Sequence, residues 1–412
     1  TSMSEERVKP LAEREFIPMT AMVISLVALS IDAMLPALPI IGHDLGLAEA
    51  NDAQLIIGVV LLSMGIGTLV FGPLSDSFGR KPTIYIGFVI FILGCVLSIV
   101  AQTFEVMMLG RVLQGFGCAA PRIVMIAIVR DQYSGDAMAR IMSFVMSVFI
   151  LVPAIAPALG EGIMAISNWR GIFVWLLLMA VLAVTWLGVR QPETHPPHKR
   201  TPYRPKNLLA AAREVFSHRA AVGHTIATGF IFVPFVGYLS SCQQVFADVY
   251  DEGERFALYF GILSLAIGGA SAVNGKLVMR FGMRRLVRIA LTVAAVLGVV
   301  FLGLALAADG APALPVFLIY FFAAFFCNGM LFSNLNALAM EPLGRVAGMG
   351  AAIVNAFSTL ISVPLGAFVG LAFDGTVMPL AYSFCGFTLL CGLAVYVTQS
   401  REPDGLPAGL EI

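Results

Sequence analysis

The sequence predicts an all-α membrane protein of twelve transmembrane helices in two six-helix halves. Three observations carry this reading. Apolar runs of spanning length recur from end to end, the basic residues gather on one side of those runs, and a glycine-punctuated segment repeats six spans apart. Of the 412 residues, 59% are hydrophobic and 12% charged, with a mean hydropathy of +0.90. A soluble domain carries about a quarter charged residues.

The predicted spans are 16–41, 52–74, 82–102, 104–130, 137–165, 169–190, 219–247, 255–280, 285–308, 312–340, 345–371 and 377–398. Each can cross a hydrocarbon core of about 30 Å. Only a helix satisfies its backbone polar groups within one such run. The period-two alternation of a β-barrel is absent. Residues 191–218 are proline-rich and basic, and they carry no spanning run, although Asn207 to Ser217 reads as a short surface helix. They divide the chain into a first half, 1–190, and a second half, 219–412. No cleavable signal is expected, because the first run is too long and Asp32 and Pro36 interrupt it. Thr1 and Ser2, ahead of Met3, read as a cloning remnant. The six cysteines all lie in apolar runs without metal-ligand spacing and read as packing residues.

Lysine and arginine orient the bundle. With the N-terminus in the cytoplasm, 21 of the 25 basic residues fall on the cytoplasmic side. Of the other four, Arg170 and Arg255 lie near the outer face, whereas Arg111 and Arg122 lie within a span. The repeat supports the same count. Gly72-Pro-Leu74-Ser-Asp76-Ser-Phe78-Gly79-Arg80-Lys81 follows the second span, and Gly275-Lys-Leu277-Val-Met279-Arg-Phe281-Gly282-Met-Arg284 follows the eighth. Gly, Leu, Phe and Gly recur at identical spacing. Parallel six-span repeats are a transporter architecture that holds its substrate between the halves.

On these motifs the chain resembles the major facilitator superfamily, over its whole length. Asp32-Ala-Met-Leu-Pro36-Ala-Leu-Pro39 and Arg111-Val-Leu-Gln114-Gly115, with Arg130-Asp131 further along, are similar to drug:proton antiporters of the bicyclomycin/chloramphenicol-resistance type. Pro153-Ala-Ile-Ala-Pro157-Ala-Leu-Gly160 resembles their antiporter motif, with Ala156 and Glu161 where glycine is usual. The resemblance implies a pairing of Asp32 with Arg111. It also implies a gate of Asp76, Arg80 and Lys81, in which Asp76 pairs with Arg130 and meets the start of span 11 near Gly344 and Arg345. A bacterial cytoplasmic (inner) membrane with both termini inside is the expected location.

The residues themselves point to Asp32 first. A carboxylate deep in a span is costly unless paired, protonated or facing water. Burial favours its neutral form and a nearby cation its charged form, so such a group can load and release a proton as its surroundings alternate. The alternative is a static ion pair. Asp32 and Arg111 lie at matching depths, about 10–14 Å from the outer edge at ~1.5 Å per residue. Gln114, one turn further in, could hydrogen-bond to either. Arg122 is too deep for an ordinary helix-end anchor, and its fork suits carboxylates or phosphates; snorkelling is the alternative. Pro153, Pro157 and Gly160 would bend and pack span 5. In the second half Tyr238, Asn328 and Asn334 are the candidate substrate contacts.

The function read from this pattern is proton-driven export of small amphipathic compounds. The rival is a dedicated transporter of one anionic or zwitterionic metabolite or siderophore, using Arg122. A third class, a receptor or lipid-handling protein on the same fold, sits poorly with a retained gate and Asp32. No nucleophile–base pair, metal cluster or Gly-x-x-x-x-Gly-Lys-Ser/Thr segment is visible. An enzyme is therefore not expected, nor any cofactor beyond a proton gradient. The expected partners are a small-molecule substrate, protons and the bilayer, with no nucleic acid and one chain sufficing.

Overall fold

Proline and glycine set where the helices begin and end. The computed structural model describes residues 11–399 except 201 and 203. Arg7, Lys9, Arg401 and the Thr1-Ser2 pair lie outside the described residues, as does the side chain of Arg345. The first span is not one helix. It comprises α1 (Glu13–Asp32), a 3₁₀ turn at Leu35–Ala37 and α2 (Leu38–Asp44). Pro36 and Pro39 lack the N–H groups that would bond back into the preceding turn, so α1 ends at Asp32.

The remaining helices of the first half are α3 (Leu55–Phe78), α4 (Arg80–Val100), α5 (Phe104–Gln132), α6 (Gly135–Ile166) and α7 (Trp169–Arg190). A surface helix, α8 (Pro205–Ser217), lies in the connection between the halves. The second half contains α9 (Arg219–Gln244), α10 (Phe256–Phe281), α11 (Met283–Ala307), α12 (Leu314–Met340), α13 (Ala347–Leu371) and α14 (Met378–Gln399). Among the described residues, eleven spans are long and apolar enough to cross a membrane by length and composition. The twelfth is α6, which continues through Pro153 and Pro157 and carries a shorter apolar stretch, Leu151–Ile166.

The sequence repeat is also a repeat of backbone. Gly79 joins α3 to α4 with φ +104°, and Gly282 joins α10 to α11 with φ +75°. Both angles favour a residue without a Cβ. The side chains around the two turns differ, since Met279 and Met283 of the second copy stand where Asp76 and Arg80 stand in the first.

At the bundle end remote from the central connection, polar side chains tie the halves together. Asn51 donates to the carbonyls of Leu371 (3.0 Å), the last residue of α13, and Phe373 (2.9 Å), just beyond it. Gln244 donates to Asn51 Oδ1 at 2.9 Å, and Gln54 donates to Gln244. A π-helical turn, Val245–Val249, follows Gln244. In the core of the second half, Phe317 and Phe321 stack at 4.2 Å, and Phe301 stacks on Tyr320 at 4.0 Å.

Candidate functional site

The break in the first span organises the site. The last four carbonyls of a helix have no partner within it. In α1 the Leu29 carbonyl still accepts the N–H of Ala33 at 3.2 Å. The next carbonyl, that of Ser30, accepts Arg111 Nη2 at 2.8 Å. Arg111 also donates to Gln114 Oε1 at 2.7 Å and, at 3.4 Å, to the Ile56 carbonyl, and its guanidinium lies 5.7 Å from the Phe173 ring. It is fully buried. A cation at a helix C-terminus is favoured by the helix dipole, so Arg111 serves as the cap that the broken helix needs.

This corrects the expected pairing. Among the described residues no ion pair joins Arg111 to Asp32; Arg111 instead binds the backbone carbonyl of Ser30, two residues earlier. The guanidinium fork is occupied by the α1 terminus, by Gln114 and by α3.

Asp32 is 7% exposed. No hydrogen bond or ion pair reaches its carboxyl among the described residues, and Cys242 of α9 lies within its electrostatic reach. Stripped of water and without a counter-charge in contact, it occupies a setting where gain or loss of a proton carries a large energy change. Gln114 completes the cluster by donating to Cys95 Sγ at 3.0 Å. The antiporter motif meets the same break from the other side, for a Cβ on Gly160 would lie 2.1 Å from the Ala33 carbonyl oxygen.

Arg122 lies further along α5, away from this cluster, with its Nη1 3.8 Å from Met64 Sδ of α3. Tyr238 is buried among aromatic rings, 4.8 Å from Phe325 and 5.5 Å from Phe321 between centroids, and its hydroxyl lacks a hydrogen-bond partner among the described residues. Asn328 Nδ2 is likewise buried without a partner. Asn334 instead joins two helices of the second half, donating to Asn274 Oδ1 at 2.7 Å and to the Met330 carbonyl at 2.8 Å.

Asp76, Arg80 and Lys81 belong to a connected network at the central-connection end. Arg80 Nη1 meets Asp76 Oδ1 at 2.6 Å, and Arg80 Nε and Nη2 bind Asp131 at 2.9 and 3.3 Å. The partner of Asp76 is thus Arg80, not the expected Arg130. Arg130 is exposed at the end of α5, and its neighbour Asp131, about 100° around the helix, turns inward to the network. Lys81 Nζ donates to the Gly188 carbonyl at 2.9 Å.

The central connection contributes what the motifs did not reveal. Glu193 accepts the backbone N–H groups of Arg80 and Lys81, both at 3.0 Å, and so caps the N-terminus of α4. Thr194 donates to Asp131 Oδ2 at 2.9 Å. The available signals were an acid in a basic loop and, 112 to 113 positions away, a helix start that lacks a capping side chain of its own.

The fold and this network define a membrane transporter. The family model of the Major Facilitator Superfamily matches residues 20–367, and the chain belongs to that superfamily. It is 28% identical over 380 residues to the uncharacterized MFS-type transporter YdgK of Bacillus subtilis (strain 168), covering 92% of this chain and 93% of the relative. It is 26% identical over 378 residues to the bicyclomycin resistance protein homolog of Haemophilus influenzae, covering 90% and 93%. The multidrug resistance protein MdtL of Klebsiella pneumoniae (strain 342) is 32% identical over 170 residues, 40% of this chain and 43% of that one. The solved structure of the human organic anion transporter MFSD10 (TETRAN) shares the fold, with a TM-score of 0.67 at 18% identity over 95% of this chain and 100% of that one.

Proposed function

We propose that this transporter exports small amphipathic compounds by proton antiport and alternating access. It would sit in a bacterial cytoplasmic membrane with both termini inside. The observation that carries this reading is the Asp32 carboxyl, buried at the end of a broken helix with no counter-charge in contact among the described residues. The proton would be taken up and released at Asp32 as its exposure alternates between the two sides. Relatives named for bicyclomycin and multidrug resistance support drug-like cargo, and the aromatic surroundings of Tyr238 suit it.

The test uses purified protein in proteoliposomes carrying an internal pH indicator, with bicyclomycin and a lipophilic fluorescent cation as probes. The wild type should move protons against either probe, and Asp32→Asn should bind the probe yet move none. Undiminished proton movement in Asp32→Asn would sink the reading.

A specific observation favours a second reading. Arg122 places a guanidinium deep in α5 against Met64 of α3, where an anionic or zwitterionic metabolite would find a fixed positive charge.

A further inference from the structure

Between α9 and α14, at the central-connection end, a groove of about 510 Å³ opens on the outside of the bundle. Its walls are apolar, with Val222, Ile226 and Phe230 on α9 facing Leu390 and Leu393 on α14. Leu390 and Leu393 are 42% and 57% exposed, so the groove opens toward lipid rather than toward the space between the halves. One end is polar. There the exposed Arg219, first residue of α9, donates to the Val397 carbonyl at 3.4 Å, and Ser217 stands beside it.

The dimensions fit a particular kind of molecule. From Arg219 to Phe230 the helix rises about 16 Å at ~1.5 Å per residue. That is roughly one leaflet of a hydrocarbon core of about 30 Å. The cation thus stands at headgroup level, with the apolar walls running toward the bilayer midplane. The surface helix α8 adds to the charge. It buries Ala211 and Val215 against α12 and α13 and leaves Lys206 and Arg213 exposed, the pattern of a helix lying in a membrane interface. The nearby acid, Glu214, is engaged with His218 at 3.3 Å.

We propose that this groove binds an anionic glycerophospholipid of the adjoining leaflet, with one acyl chain between α9 and α14 and the phosphate on Arg219. A soluble anion could match the arginine but would leave the apolar walls unfilled, and a neutral lipid could fill the walls but would not match the local positive charge. Occupancy reaches beyond the surface. Phe216, which closes the polar end, packs edge-on against Phe357 of α13 at 5.2 Å. Helix α13 meets the other half at Gly65 of α3, through Thr359.

The test is thermal unfolding of the full chain in detergent, with added phosphatidylglycerol, phosphatidylcholine or inorganic phosphate. Wild type, Arg219→Gln and Ile226→Trp are compared, the last filling the groove. Phosphatidylglycerol should raise the wild-type midpoint by several degrees more than phosphatidylcholine, and both variants should lose most of that difference. If Ile226→Trp is poorly folded, Leu393→Trp at the exposed rim takes its place, and native mass spectrometry counts retained lipid directly. Equal stabilisation by the two lipids, the same stabilisation by inorganic phosphate, or full stabilisation of both variants would each overturn the proposal.

Discussion

Gly160 of α6 lies against the carbonyl oxygen of Ala33, so close that a Cβ on Gly160 would sit 2.1 Å from that oxygen. The carbonyl belongs to the first residue after α1, at the point where the regular helix ends. The antiporter motif therefore packs against the break that carries Asp32. Gly160→Ala should destabilise the protein by about 1–3 kcal/mol, the usual cost of overpacking, and reduce transport. Gly162, whose added Cβ would meet nothing within 4 Å, is the control. Thermal unfolding of Gly160→Ala and Gly162→Ala in detergent distinguishes them, and equal midpoints would contradict the close approach.

Arg111 holds the Ser30 carbonyl, Gln114 and α3 with one planar fork. Lysine keeps the charge but concentrates its donors at one point. Arg111→Lys should therefore leave at least one buried acceptor unmatched, at about 1–3 kcal/mol. Transport should fall sharply even where the protein still inserts in the membrane. Transport assays normalised to membrane-inserted protein measure this, and wild-type activity in the lysine variant would show that charge alone suffices.

In the network around the start of α4, the two clamps should differ in strength. Arg80 is bound to two carboxylates, with its side chain only 8% exposed. Arg80→Ala leaves those acids, one of them half-exposed, without their cation, a loss of about 1.5–3 kcal/mol for hydrogen bonds to charged groups. Glu193→Gln removes a charged cap from the start of α4 and should cost about 0.5–2 kcal/mol. The rank order of unfolding midpoints is the check, and a larger effect from Glu193→Gln would reverse the assignment.

Arg122 separates the two cargo readings. If its guanidinium meets substrate charge, Arg122→Ala should abolish uptake of acidic compounds into inverted vesicles and spare lipophilic cations. Parallel assays with one probe of each charge decide the matter. Unchanged transport of both would remove Arg122 from substrate binding.

The sequence alone was enough to locate the helices. Apolar runs, loop prolines and glycines gave twelve spans within a few residues of those observed, and α8 begins at Pro205 where a helix from Asn207 was expected. It also singled out Asp32 and Arg111, because a charge inside an apolar run stands out locally, and Gly160 and Arg80 through the motifs that resemble those of a known family. It did not give their partners. Arg111 binds the helix end near Asp32 rather than its carboxyl, Asp76 binds Arg80 rather than Arg130, and Glu193 reaches a helix start 112 to 113 positions away. The clasp from Asn51 to Leu371 and Phe373 spans 320 and 322 positions. The physical reason is that spanning length is set by composition along one segment. A side chain's direction, by contrast, turns about 100° with each residue, and helices apolar on most sides carry little pattern to show which face meets which neighbour. Only packing of the bundle fixes those rotations, and with them the contacts at the break in the first span.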